Sequence, residues 1–373
     1  MNILRIVYEY PEPWDSIGIV AYELSKAQAE LKYNVVIFCA GLRSNKVHQK
    51  GVKIIRFPRQ LARFSIFLTT APTILLGYFV YRLLGNKVDI IHGHGHLPIY
   101  FHMYKYLFGW LDKTPYYLHL HITAKGREEE LGIKNTSVGF WTKNFEWPLH
   151  KLSDYLGVRV ANKIFCVSES VKEEAQKYYG ADPSKTYFLG SGVNMNLFKP
   201  VNRKMRRGKT VLFSGTLVGR KNPDLVIKAL KYLPKEYRVV FAGAGNAKGL
   251  NELAEREKVF DRVRFINNIS YRSMPFVYQT SDIFVMPSNY EGYPKVVLEA
   301  LSCGKPALVS GFKISKEIER YTFPANRNPK DLAEQIKNIL KKTPVVDKET
   351  IENIEQNFSW NALARKLDSY YKG

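Results

Sequence analysis

The chain has 373 residues, 45% apolar and 24% charged, a balance that belongs to a folded globular protein too long for one ordinary core, so two domains are expected. Lys and Arg number 56 against 34 Asp and Glu, and the formal charge of +22 calls for an anionic partner: nucleic acid, an anionic membrane face or phosphate-bearing small molecules. Three cysteines, Cys39, Cys166 and Cys303, with no CxxC spacing, exclude a disulfide framework and a thiolate metal site and point to a reducing compartment.

The first residues, 1–8, have too short an apolar run for a secretory signal and read as a first buried strand. Residues 19–31 repeat apolar positions at helical spacing through Val20, Leu24, Ala27 and Leu31, and 35–39 is the next strand. Gly18, at the strand-to-helix junction, fits either a plain turn or a backbone approach to phosphate at a helix start. Between Gly41 and Trp110 there are ten Lys or Arg and one acid, Asp89, so the basic excess is partly a local surface. Within it, the stretch 64–84 contains Pro72 and Gly77 and is long enough for a membrane crossing. Its Pro and Thr residues, and the lack of a second such stretch, favour a bent, membrane-facing or buried helix pair.

His92, His94 and His96 alternate with glycines after an apolar strand. Alternation puts them on one side, as in a metal site, but the glycines suggest that the strand ends there and no carboxylate is near in sequence, which favours structural or hydrogen-bonding roles. A second strand, 116–121, ends in His121 beside a Thr, where a side chain can point into a cleft; His119 fits a core position. Ser170 and Glu173 suggest a capping box for a helix to Tyr179. The run 202–209, with five basic residues in eight and no apolar period, reads as a linker.

The second half restarts the strand-and-helix alternation. Residues 210–214 form a strand, followed by the loop Gly215-Thr216-Leu-Val-Gly219-Arg220-Lys221, with Asn222 and Pro223 as cap and first turn of a helix. Two adjacent cations before a helix N-terminus repel each other and that end. Either a phosphate shares them, or they are fully solvated. Gly243-Ala-Gly245 is another helix-preceding turn and not a dinucleotide fingerprint. Residues 282–311 form a strand, a polar loop with Glu291, a helix with Glu299, a Gly304-Lys-Pro306 turn and a strand. This is a βαβ unit whose chemistry belongs at the C-terminal end of its first strand. Taken alone, the two glutamates are either solvated surface groups or a pair folded toward one ligand. Residues 329–341 and 357–371 read as helices, the latter with Trp360, Leu363 and Leu367 on one stripe.

Together these features resemble the family 4 glycosyltransferases over nearly the whole chain. Glu291-Gly-Tyr-Pro-Lys-Val-Val-Leu-Glu299 has the family's E-x7-E pattern, with Pro287-Ser288 before it and Gly304-Lys-Pro306 after it. Gly192-Val-Asn194 with Phe198 and Pro200 resembles the family's exit from its first domain, with Asn194 in place of the usual Asp. Residues 89–92 and His121 are similar to its two histidine strands, and the Trp360 segment to its terminal helix.

The resemblance implies an α/β GT-B architecture: two Rossmann-like domains facing a central cleft, with an acceptor-side domain at 1–200, a nucleotide-sugar-binding domain at 201–355, and a helix at 356–373 crossing back to the first. It implies a retaining glycosyltransferase that moves a sugar from a UDP- or GDP-linked donor to a glycan or lipid-linked acceptor, with no obligatory cofactor or metal. The basic first half, with its apolar stretches 64–84 and 100–110, suits a membrane-bound lipid or lipid-linked acceptor, so the expected setting is cytoplasmic or peripheral at an anionic membrane surface, with no specific nucleic acid. By the same resemblance, Glu299 would take the ribose hydroxyls and Glu291 the donor sugar. Tyr293, Pro294, Lys295 and Val296 would lie beneath the diphosphate, together with the Gly215 and Gly243 turns. Lys221 falls on the family's phosphate-binding lysine. The arginine usual five positions earlier is Thr216 here, so either Arg220 replaces its charge or the leaving group is less strongly clamped. Gly18 would contact phosphate from the first domain, and His121 would approach the donor sugar. The alternatives are a soluble transferase making a small glycoside or polysaccharide, and a basic RNA-binding protein without catalysis.

Overall fold

Seven strands, β1 (Asn2–Val7), β2 (Asn34–Ala40), β3 (Val52–Phe57), β4 (Ile90–His94), β5 (Tyr116–Leu120), β6 (Lys163–Cys166) and β7 (Thr186–Phe188), lie parallel in the order β3-β2-β1-β4-β5-β6-β7. Parallel neighbours need crossovers, which α1 (Ser16–Glu30), α2 (Ile66–Leu83), α3 (Ile99–Phe108), α4 (Ala124–Leu131), α5 (Trp147–Val160) and α6 (Glu169–Tyr179) provide. The computed structural model describes residues 1–8, 16–41, 50–58, 66–131, 142–201, 209–267, 269–342 and 345–372. The expected linker at 202–209 therefore lies outside the described residues, apart from Lys209.

A second parallel sheet holds β8 (Lys209–Ser214), β9 (Tyr237–Ala242), β10 (Val263–Ile266), β11 (Ile283–Pro287), β12 (Ala307–Ser310) and β13 (Thr322–Pro324) in the order β10-β9-β8-β11-β12-β13. Its helices are α7 (Pro223–Leu230), α8 (Ala247–Arg256), α9 (Met274–Gln279), α10 (Lys295–Ser302), α11 (Pro329–Lys341), α12 (Lys348–Phe358) and α13 (Trp360–Lys372). The chain divides into two units, Met1–Ser191 with Leu363–Gly373, and Gly192–Ala362. This is the GT-B architecture, in which the last helix, α13, packs its Leu363–Lys372 part onto the first unit.

Central strands are covered on both faces and read as unbroken apolar runs, such as Val35–Ala40 of β2, whereas edge strand β3 is only half-buried. In each sheet the strand order reverses once, between β1 and β4 and between β8 and β11, and the carboxyl ends of those strands are where open sheets take ligands.

Several local features differ from the sequence expectations. Residues 66–83 form one helix, α2, with Pro72 inside, and not a pair. Its buried stripe, Phe67, Ala71, Ile74 and Tyr78, leaves Leu68, Leu76, Val80 and Leu83 outward. Among the described residues no helix is long and apolar enough to cross a membrane. Ser168, and not Ser170, caps α6, accepting from Val171 N at 3.1 Å. Asn222 stands at the N-cap of α7 in a left-handed conformation (φ 51°), but its side chain donates to Pro287 O and Asn289 Oδ1, both at 2.8 Å, so it ties the β8 loop to the β11 loop. In α12 (Lys348–Phe358) the sequence predicts helix only at 357–358, and the expected helix 357–371 is broken at Ser359, which ends α12 in extended backbone and whose Oγ caps α13 at Ala362 N, 3.2 Å away.

Candidate active site

In the second unit, β8 ends at Ser214 and turns through Gly215 (φ +137°) into a 3-10 turn, Gly219–Lys221. A β-carbon at Gly243 would stand 2.0 Å from Gly215 O, so Gly243 lets the two loops touch, while Gly215 is required by its φ. On the neighbouring strand, β11 leads into Ser288 and Glu291. Glu291 Oε1 lies 2.8 Å from Arg220 Nη1, 3.3 Å from Lys221 Nζ and 3.1 Å from Ser288 Oγ. Arg220 also donates to Tyr290 O, and Arg220 O accepts from Asn289 N. The two cations, for which the sequence left a shared phosphate or full solvation, thus share a carboxylate from their own chain. Two positive charges against one negative leave the cluster net positive, and the chain enters α10 four residues after Glu291, with Pro294 as its cap.

One turn further along α10, Glu299 is 5% exposed and accepts from Tyr278 Oη at 2.9 Å. Burial raises its pKa above the usual carboxylate value, against the opposing pull of Lys295 and the Tyr278 hydrogen bond. Phe198 is fully buried with its ring 5.8 Å from that of Tyr278, and Gly192 admits the Trp360 ring where a β-carbon would clash at 2.3 Å. Phe198 therefore supports the fold around Glu299, and Gly192 makes room for Trp360.

In the first unit, β4 and β5 pair His94 with His119 in register, which gathers His92, His94, His119 and His121 into one stacked row. Ring centroids are 4.8 Å apart for His92 and His94, 4.7 Å for His94 and His119, and 4.6 Å for His119 and His121. Gly93 faces the other side, where a β-carbon would lie 2.2 Å from Tyr116 Oη, and Gly95 (φ +63°) ends the strand, as its glycines suggested. His96 leaves the row: its Nε2 is 2.9 Å from Asp154 of α5, a carboxylate brought near by folding where the sequence showed none. Burial, and after it neighbouring positive charge, holds His92, His94 and His119 well below the usual histidine range.

Residues 17–197 match the family described as Glycosyltransferase Family 4, and residues 195–358 match Glycosyl transferases group 1, so that the two matches together run almost the length of the chain. The chain is a GT-B glycosyltransferase of the group 1 and family 4 superfamily.

As a member of that superfamily it is a nucleotide-sugar-dependent transferase. An uncharacterized glycosyltransferase of Methanocaldococcus jannaschii is 24% identical over 100% of this glycosyltransferase and 98% of its own length. The D-inositol 3-phosphate glycosyltransferase of Mycobacterium leprae is 27% identical over 60% of this chain, and the match spans about half of that relative, 52%. The solved sucrose-phosphate synthase of Thermosynechococcus elongatus shares the fold, with a TM-score of 0.82 at 18% identity over 100% of this chain and 98% of its own.

In this glycosyltransferase the β8 and β11 loops bring Arg220, Lys221 and Glu291 together, with Gly215 against the Lys221 side chain. Tyr293 and Pro294 are buried, Lys295 and Val296 half-buried at the start of α10, and Thr216 is exposed. Gly18 is buried in the first turn of α1, and His121 is half-buried just beyond β5. Tyr278, Asp154, Arg5 and Tyr371 were missed from sequence, since each meets its partner on another element with no local pattern to mark it.

Proposed function

We propose that this glycosyltransferase retains anomeric configuration and takes a UDP- or GDP-linked sugar, with Lys221, Arg220 and the α10 amides at Lys295 and Val296 on the diphosphate, Glu299 on the ribose and Glu291 on the sugar. The observation that carries this reading is the net-positive Arg220, Lys221 and Glu291 cluster at the carboxyl ends of β8 and β11. Breaking the bond from the sugar to phosphate builds negative charge on the leaving diphosphate, and fixed cations in a half-buried site stabilise it best. Gly215, Thr216, Gly243, Tyr293 and Pro294 shape that half. Gly18 serves the phosphate and His121 the donor sugar, with residues 1–200 as the acceptor-side domain, 201–355 as the donor domain and 356–373 returning to the first.

A screen of UDP, GDP and ADP, each with its glucose or mannose conjugate, tests the donor class: one diphosphate should bind in the micromolar range and its sugar should be turned over. Binding of none of them overturns the reading. Proton spectra of the glycoside formed report whether the anomeric configuration is kept.

The acceptor is proposed to be a lipid-linked glycan at an anionic membrane face. On α2, and from α3 onward, Leu76, Val80, Leu83, Leu107, Trp110 and Leu111 are exposed, joined through the Phe79 and Tyr104 rings at 5.0 Å and rimmed by exposed Arg82, Lys87 and Lys113. Apolar and aromatic side chains ringed by cations suit the headgroup boundary. The basic residues between 41 and 63, also expected to face the membrane, lie largely outside the described residues. Changing Arg82, Lys87 and Lys113 to Gln should weaken association with vesicles containing phosphatidylserine by about 100-fold at low salt, at about 1 kcal/mol per charge. Sedimentation with such vesicles measures it, and equal binding of variant and parent removes the membrane from the account.

A further inference from the structure

We propose that His94 is a positioning residue that sets the ring and the proton of His121, and that the Tyr371 hydroxyl, on the last turn of α13, holds the far end of the same row of histidines. The inference rests on the proposed role of His121 at the donor sugar.

His94 Nδ1 lies 3.1 Å from His121 Nε2. Each neutral imidazole has one donor and one acceptor nitrogen, so one of these two carries the shared proton. If His94 donates, His121 has its own proton on Nδ1; if His121 donates from Nε2, its Nδ1 is an acceptor. Either way the two tautomers are chosen together. Stacking fixes the planes: His121 is parallel to His119 within 8° and to His94 within 27°. His94 is itself only 2% exposed, between His92 and His119.

At the other end Tyr371 Oη is 2.7 Å from His92 Nδ1 and 3.3 Å from Gln28 Nε2, and its ring stacks on Tyr117 at 5.4 Å. Residues 279 apart in sequence therefore meet only when the end of α13 is seated. A metal site is the competing use for His92, His94 and His119, whose nitrogens fall within 4.8 Å of one another. Arg5 opposes it. β1 pairs Arg5 with His92 on β4, the guanidinium is fully buried, and a divalent ion placed beside it would meet strong repulsion. Arg5 is held instead by Ser25 Oγ, Ala21 O and Gln28 Oε1, the last of which belongs to the amide that also meets Tyr371. A row of neutral rings leading to His121 suits these surroundings.

The test reads nucleotide release from UDP-glucose or GDP-mannose, whichever the screen selects, in the whole protein. His94→Leu keeps the site apolar and removes the nitrogen; kcat should fall about tenfold or more, with KM and the diphosphate Kd within about twofold of the parent. His94→Asn puts an amide near the Nδ1 position and should recover most of kcat. A merely structural role predicts the reverse order, because Leu fills the site better than Asn. Unchanged kcat in His94→Leu, or no recovery in His94→Asn, overturns the proposal. If His94→Leu does not fold, Tyr371→Phe, which removes one oxygen, takes its place: kcat about threefold lower at unchanged Kd supports the proposal, and unchanged kcat defeats it. His121→Asn separates the two ideas. Full activity there removes His121 from the reaction, whereas a loss there with none in His94→Leu removes only the positioning role.

Discussion

Replacing Lys221 with alanine is expected to lower kcat/KM for the sugar donor by about 10²–10³-fold, the scale on which a fixed group stabilising transition-state charge acts, with little loss of folded protein. The Lys221 side chain is 13% exposed, with Nζ 3.3 Å from Glu291 Oε1 and 4.0 Å from the Met286 sulfur. Low exposure keeps screening small, so the ammonium acts strongly on charge that develops nearby. Removing it does not strand the carboxylate, because Arg220 at 2.8 Å and Ser288 at 3.1 Å still engage Glu291. The stability cost should therefore be modest. Donor turnover beside a melting curve checks both halves: normal turnover takes Lys221 out of the mechanism, and a collapsed melting temperature would make it a structural residue.

The second large effect is expected at Glu299. Its alanine variant should bind the nucleoside diphosphate about 10–100-fold more weakly, the loss of hydrogen bonds to a charged acceptor. The carboxylate is 5% exposed with Tyr278 Oη at 2.9 Å, and burial raises its pKa. A ribose hydroxyl pair supplies the donors that such a buried carboxylate lacks in water's absence. The change also deprives Tyr278 of its acceptor, so calorimetry should be run below the variant's melting temperature. Equal Kd values for UDP and GDP in variant and parent would sink the ribose assignment.

The members of the candidate site in the second unit stood out in the sequence because their residue types are unusual for their places: two cations in a glycine loop, and two glutamates bounding a loop and helix start. What the sequence did not show was who pairs with whom. Arg220 and Glu291 are 71 residues apart and meet because β8 and β11 are neighbours at the point where strand order reverses. Buried strands were readable as apolar runs because helices cover both faces. α12 was not, since Glu, Asn, Gln and Lys fill most of its positions and only Thr350, Ile354 and Phe358 face inward. Around the histidines, alternation placed His92 and His94 on one face, but no local pattern marked that Asp154 would draw His96 aside or that Tyr371 would reach His92 from the end of the chain.

The most direct test is a crystal structure of the protein with the nucleoside diphosphate that the screen selects. The account predicts diphosphate oxygens within hydrogen-bond reach of Lys221 Nζ and of the first α10 amides, with the ribose on Glu299. A diphosphate bound elsewhere, with the Arg220, Lys221 and Glu291 cluster left undisturbed, would contradict it.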